Sequence, residues 1–130
     1  MNLFDQIQKI RDNIQQALDS SNRNSSVILV AATKTQNTNT LENCINNGIT
    51  QIGENRVQEA INKFEELKKK NSKCVKRMIG HLQSNKIKKA LTVFDTIDSI
   101  DTTSLAKKIS IKSDKGKIQI QTMLEVNTSR

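Results

Sequence analysis

Leu3, Ile7, Ile10, Ile14 and Leu18 recur at three- and four-residue steps, which predicts an amphipathic helix over residues 3–18. A polar loop over 19–26 gives way to Val27-Ile28-Leu29-Val30-Ala31-Ala32-Thr33, a run without alternation. Such a run reads as a strand covered on both faces, as in a parallel sheet. Thr38 or Thr40 is placed to cap a helix that ends at Asn47, with Gly48 as its stop. A second strand is expected at 49–53. The helix after it, over 55–70, should bury Val57, Ala60, Ile61, Phe64 and Leu67. A third strand follows at 74–80, then a helix capped by Ser84 and running through Leu91. Residues 93–97 read as a short fourth strand, and Thr102 to Ile111 as a helix with Leu105 and Ile109 inward. Ser113–Gly116 turns the chain into a fifth strand, Lys117–Val126, in which Ile118, Ile120, Thr122 and Leu124 alternate.

Strands alternating with helices argue for an α/β fold with a parallel sheet and right-handed crossovers. The steps between strands leave room for one helix and its turns, which fits a (β/α)8 barrel or an open doubly wound sheet. No linker or low-complexity segment divides the 130 residues, and there is no proline, so one domain is expected.

Composition narrows the function classes. Hydrophobic content of 35% and a mean hydropathy of −0.57 suit a chain that builds one core in water. No apolar run approaches the roughly 18 residues a membrane span needs, so no membrane partner is expected. The N-terminus lacks the basic, apolar, small-residue order of a secretory signal. Cys44 and Cys74 have neither CxxC nor metal-ligand spacing and read as free thiols of a reducing cytoplasm. A net charge of +8 raises the question of nucleic acid. With three Phe and no Tyr or Trp, the chain has no stacking platform for bases, and a basic polyanion-binding module is kept as a minor alternative.

Lys34 is the candidate for chemistry. It follows the apolar run directly, so a rigid strand end would carry its amine into the mouth of the sheet, where α/β proteins place their sites. An amine partly desolvated there has its pKa lowered and can condense with an aldehyde. A solvated lysine at a loop start explains the same residue.

Three segments separate those readings. They are Ala31-Ala-Thr-Lys-Thr35, Gln51-Ile-Gly-Glu-Asn-Arg-Val-Gln-Glu-Ala60, and Met78-Ile-Gly-His-Leu-Gln-Ser-Asn-Lys86. In this order they resemble the pyridoxal phosphate homeostasis protein family, single-domain relatives of the alanine racemase barrel. Asp98–Asp101 and Leu124–Ser129 match more weakly and also fall in family order.

The resemblance implies the N-terminal portion, about five strands, of a (β/α)8 barrel that binds pyridoxal 5′-phosphate (PLP). A closed barrel takes about 250 residues, and the family's last strands have no counterpart here, so the chain is expected to be a truncated member. The resemblance further implies that Lys34 is the cofactor lysine and that Asn55 lines the pocket. It implies reversible cofactor homeostasis without turnover, with PLP-dependent enzymes as recipients. Asn55 could equally cap the helix that follows it. Gly53 and Gly80 suit either close approach to a ligand or turns with positive φ.

The family's usual aromatic residue and His ahead of Ile-Gly are replaced by Lys76 and Arg77. His81 reads as a variable loop residue, and with no tyrosine a racemase pair is absent. In such barrels the phosphate is cradled by the last strands. A non-binding remnant, or one that self-associates through unpaired barrel strands, is therefore the second reading.

Overall fold

The computed structural model describes residues 1–129. The helices are α1 (Leu3–Ser20), α2 (Thr38–Asn46), α3 (Val57–Lys69), α4 (Ile87–Val93) and α5 (Thr103–Gly116). Between them run β1 (Val30–Ala32), β2 (Gln51–Glu54), β3 (Val75–Met78), β4 (Thr96–Ile100) and β5 (Gln121–Leu124), with a 3-10 turn at Ser84–Lys86. All neighbouring strands are parallel, in the order β1-β2-β3-β4-β5. A doubly wound sheet reverses its strand order part-way. Sequential order is what one-way barrel winding produces, and right-handed crossovers then place the helices on one face.

The core lies between that face and the helices. Leu41, Ile52, Leu67, Met78, Leu82, Ile87 and Ile97 are fully buried there. Phe64 of α3 meets Phe94, just past α4, edge to face with ring centroids 5.9 Å apart. Of the expected α1 stripe Ile7 is buried, Leu3 packs against the core half-buried, Ile14 and Leu18 are half-buried, and Ile10 is exposed.

The structure moves several expected boundaries. β1 pairs over three residues, and Val27 and Ile28 are 53% and 59% exposed. The strand is an edge with β2 as its one neighbour, and with Val30 and Ala31 half-buried and Ala32 exposed the expected coverage on both faces is not achieved. The fourth strand spans 96–100 rather than 93–97, because α4 runs through Val93 and Phe94 turns into the core. Val93 thus belongs to the helix end, and Thr96 and Ile97 to the strand start. The last helix continues to Gly116 and ends on Lys117 in the left-handed conformation, φ 52°. β5 is four residues rather than ten, with Ile118 and Ile120 half-buried ahead of it. Asn37, not Thr38 or Thr40, caps α2, its Oδ1 accepting from Thr40 N at 2.9 Å. Ser84 begins a 3-10 turn and caps nothing; its Oγ accepts from Lys108 Nζ at 3.2 Å.

Candidate functional site

Sheet register brings the two expected site residues together. Ala32 of β1 pairs with Gly53 of β2. Lys34 and Asn55 each lie two residues further on, at the C-terminal ends of neighbouring strands. Lys34 is exposed and Asn55 half-buried.

Lys34 sits in a turn closed by Gln36 N donating to Thr33 O at 3.0 Å. Thr35 in this turn has φ 64°, a left-handed conformation that β-branched residues rarely adopt. Beneath the turn lies a polar network with Lys63 of α3 at its centre. Its Nζ donates to Thr33 O at 2.9 Å and to Glu54 Oε1 at 2.9 Å, and lies 2.7 Å from Glu59 Oε1. Three donors meet three acceptors, which satisfies the ammonium completely. Thr33 Oγ1 donates to Glu54 Oε1 at 2.5 Å, and Thr35 N to Glu59 Oε1 at 3.1 Å. The Glu54 side chain is fully buried, and its Oε2 has no hydrogen-bond partner among the described residues.

Electrostatics follow from these contacts. The hydrogen bond from Lys63 is the main influence holding the Glu59 carboxyl below its ordinary value, with burial opposing it and the Thr35 amide assisting. For Lys63, burial pulls downward, but the bonds to Glu59 and Glu54 outweigh it and the net direction is up. Both shifts favour the charged forms.

On the opposite face of the sheet, Arg77 of β3, paired in register with Gly53 rather than Glu54, grips Asp98 of β4 through Nε (2.7 Å) and Nη2 (3.1 Å). Its Nη1 donates to Gln51 Oε1 at 2.7 Å. The residue that departs from the family pattern therefore links three adjacent strands.

Gly53 and Gly80 have no positive φ; Gly48 is the glycine that does, among the described residues. A Cβ on Gly80 would lie 2.6 Å from Asn55 O, and one on Gly53 2.7 Å from Ile79 Cδ1. The expectation of positive φ at these glycines gives way to tight packing within the protein. Asn55 is not the cap of α3: Arg56 takes that position, without a side-chain bond. An open groove of about 480 Å³ beside Asn55 is lined by Arg56, Gln58, His81, Gln83 and Lys86 among others. Larger clefts of about 830 and 580 Å³ lie at the opposite end of the strands, away from Lys34.

Burial pushes the Cys44 and Cys74 thiols up, and both are free. No helix is long and apolar enough to cross a membrane among the described residues.

Sequence reasoning did not find Glu54, Glu59 and Lys63. A signal existed: Glu59 and Lys63 form an i,i+4 pair in the favourable order, and Lys63 stands next to Phe64 in the apolar stripe of α3.

No protein-family model matches the chain. A pyridoxal phosphate homeostasis protein of Pasteurella multocida is 30% identical over 130 residues, 99% of this chain and 56% of the relative. Its counterpart in Aquifex aeolicus is 32% identical over 128 residues, 98% of this chain and 55% of the relative. The chain is homologous to the N-terminal half of the pyridoxal phosphate homeostasis proteins. It spans about half the length of the curated relatives it matches.

Solved structures agree with that family in fold. PipY of Synechococcus elongatus, determined with PLP bound, superposes with a TM-score of 0.76 at 32% identity, over 88% of this chain and 53% of PipY. A structure described as an unknown protein from Bifidobacterium adolescentis reaches a TM-score of 0.88 at 35% identity, over 98% of this chain and 57% of its own. The five-strand parallel sheet with its leading helix corresponds to the N-terminal part of the PipY barrel.

Proposed function

We propose that this chain, as one partial-barrel domain, binds pyridoxal 5′-phosphate reversibly and serves homeostasis of that cofactor without turnover. The observation that carries the reading is Lys34, exposed at the strand ends on a turn whose flanking backbone groups are tied down. The donor set fits the aldehyde end of the cofactor: one accessible amine, with a side-chain amide on the next strand.

When bound, the cofactor supplies an aldehyde for a lysine amine and an electron sink in its ring. Lys34 presents the amine. Asn55 would donate to a ring oxygen or order a water beside it. Neither residue needs to move a proton to or from a substrate carbon. Racemisation requires acid–base groups on both faces of that carbon, and the chain contains no tyrosine to stand opposite Lys34. PLP-dependent enzymes are the proposed recipients, and the free thiols of Cys44 and Cys74 fit a reducing cytoplasm.

Borohydride reduction after mixing with PLP, followed by peptide mapping, tests the assignment. Label is expected on Lys34 and lost in Lys34→Ala. Label spread over several lysines and unchanged in that variant would refute it. Steeply salt-dependent nucleic-acid binding without cofactor uptake would favour the polyanion reading, and neither activity would leave a non-binding remnant.

A further inference from the structure

We propose that Glu59 and Lys63, seated on the buried carboxylate of Glu54, are positioning residues for Lys34. The inference rests on the reading of Lys34 as the cofactor lysine. The peptide groups on both sides of that residue end on one ion pair. Before it, the carbonyl of Thr33 accepts from Lys63 Nζ at 2.9 Å. After it, the amide of Thr35 donates to Glu59 Oε1 at 3.1 Å. The two charged groups are themselves 2.7 Å apart. A turn held at one end can pivot about the other; held at both, it fixes the direction in which the lysine side chain leaves the backbone.

Two features are hard to explain as stability alone. Thr35 is held at φ 64°, and backbone strain of that kind persists only where surrounding contacts over-determine it. Buried ion pairs are also poor sources of stability, because desolvation consumes much of the attraction. Here the cost is higher still, since Glu54 Oε2 is buried without a partner among the described residues. Departures from local rules cluster at functional sites, and this one lies directly under the residue that carries the proposed chemistry. Lys63 gains charge stabilisation from both carboxylates, which keeps the pair ionised and the bonds charge-assisted.

Glu59 is the residue to change, because Glu54 is fully buried and its loss could unfold the chain. Both bonds of Glu59 end on the same oxygen, so Glu59→Gln keeps the acceptor while Glu59→Ala removes it. Two readouts on the full chain decide the matter: hydrogen exchange at the Thr35 amide without cofactor, and borohydride-fixed PLP on Lys34. In Glu59→Ala, Thr35 exchange should quicken about tenfold, the scale of one charge-assisted hydrogen bond, and apparent PLP affinity should fall by a similar factor. Glu59→Gln should recover most of both. Unchanged Thr35 exchange in Glu59→Ala would overturn the proposal, and so would faster exchange with wild-type PLP affinity. If the wild-type chain itself takes no label on Lys34, the cofactor reading fails and this inference with it. That outcome is distinguished because wild type and variant are then equally unlabelled.

Discussion

Arg77 and Asp98 form a two-pronged ion pair across β3 and β4, with Nε–Oδ2 at 2.7 Å and Nη2–Oδ1 at 3.1 Å, and both side chains are mostly shielded from water. Gln51 on β2 and Thr96 on β4 complete the cluster, Thr96 Oγ1 donating to Asp98 Oδ1 at 2.8 Å. Removing one partner strands the other. Arg77→Ala should therefore destabilise the chain by about 2–4 kcal/mol, somewhat less than for a fully buried pair. The double change Arg77→Met with Asp98→Leu should recover most of that loss, since an apolar pair leaves no buried charge. Urea denaturation measures both, and an Arg77→Ala midpoint equal to wild type would show that the pair contributes little.

Gly80 and Gly53 differ in what a methyl group would strike. At Gly80 the obstacle is backbone, Asn55 O at 2.6 Å and Asn55 Cα at 2.7 Å, whereas at Gly53 it is the end of the Ile79 side chain. Gly80→Ala should cost about 1–3 kcal/mol through overpacking and displace Asn55. Gly53→Ala should cost less, because Ile79 can rotate. Thermal denaturation of the pair of variants ranks them, and the reverse order would contradict the packing argument.

The shifts of Glu59 and Lys63 set opposite limits on stability. Glu59 has a lowered pKa in the folded chain, so its contribution is present above the ordinary carboxyl value of 4.5 and is lost as pH falls through the folded value. Lys63 has a raised pKa, so its contribution is present below 10.5 and is lost as pH rises through the folded value above it. Stability from this network should be flat between those limits and decline on both flanks. The difference between wild type and Glu59→Gln in urea unfolding should shrink below pH 4.5. A difference constant across that range would mean that the Glu59 charge plays no part.

Two strands of the sheet have a single neighbour each, β1 and β5. Val27, Ile28, Met123, Leu124 and Val126 are exposed at or beside them. Unpaired parallel edges with exposed apolar side chains favour pairing between chains. The charge of +8 opposes this through repulsion that salt screens. Sedimentation across a salt series should show oligomers that grow with ionic strength. A compact monomer indifferent to salt would show that these exposed edges do not pair between chains.

Much of this molecule is legible from local pattern. The faces of α3 and α5, the parallel sheet, and the order of Lys34, Gly53 and Asn55 along successive strand ends all follow from periodicities of two and 3.6 residues and from short motifs. Those signals are local because the backbone geometry that produces them is local. The end of α4 is not legible in the sequence, because Val93 and Phe94 suit a helix end as well as a strand start, and the packing of buried Phe94 against Phe64 decides where the helix stops. The Thr33–Glu54–Lys63 network and the grip of Arg77 on Asp98 join residues 21, 9 and 21 positions apart. Their meeting depends on strand register and on how α3 lies against the sheet. A charged side chain in the sequence carries no mark of whether it will be solvated or buried with a partner; desolvation and pairing are properties of the assembled fold.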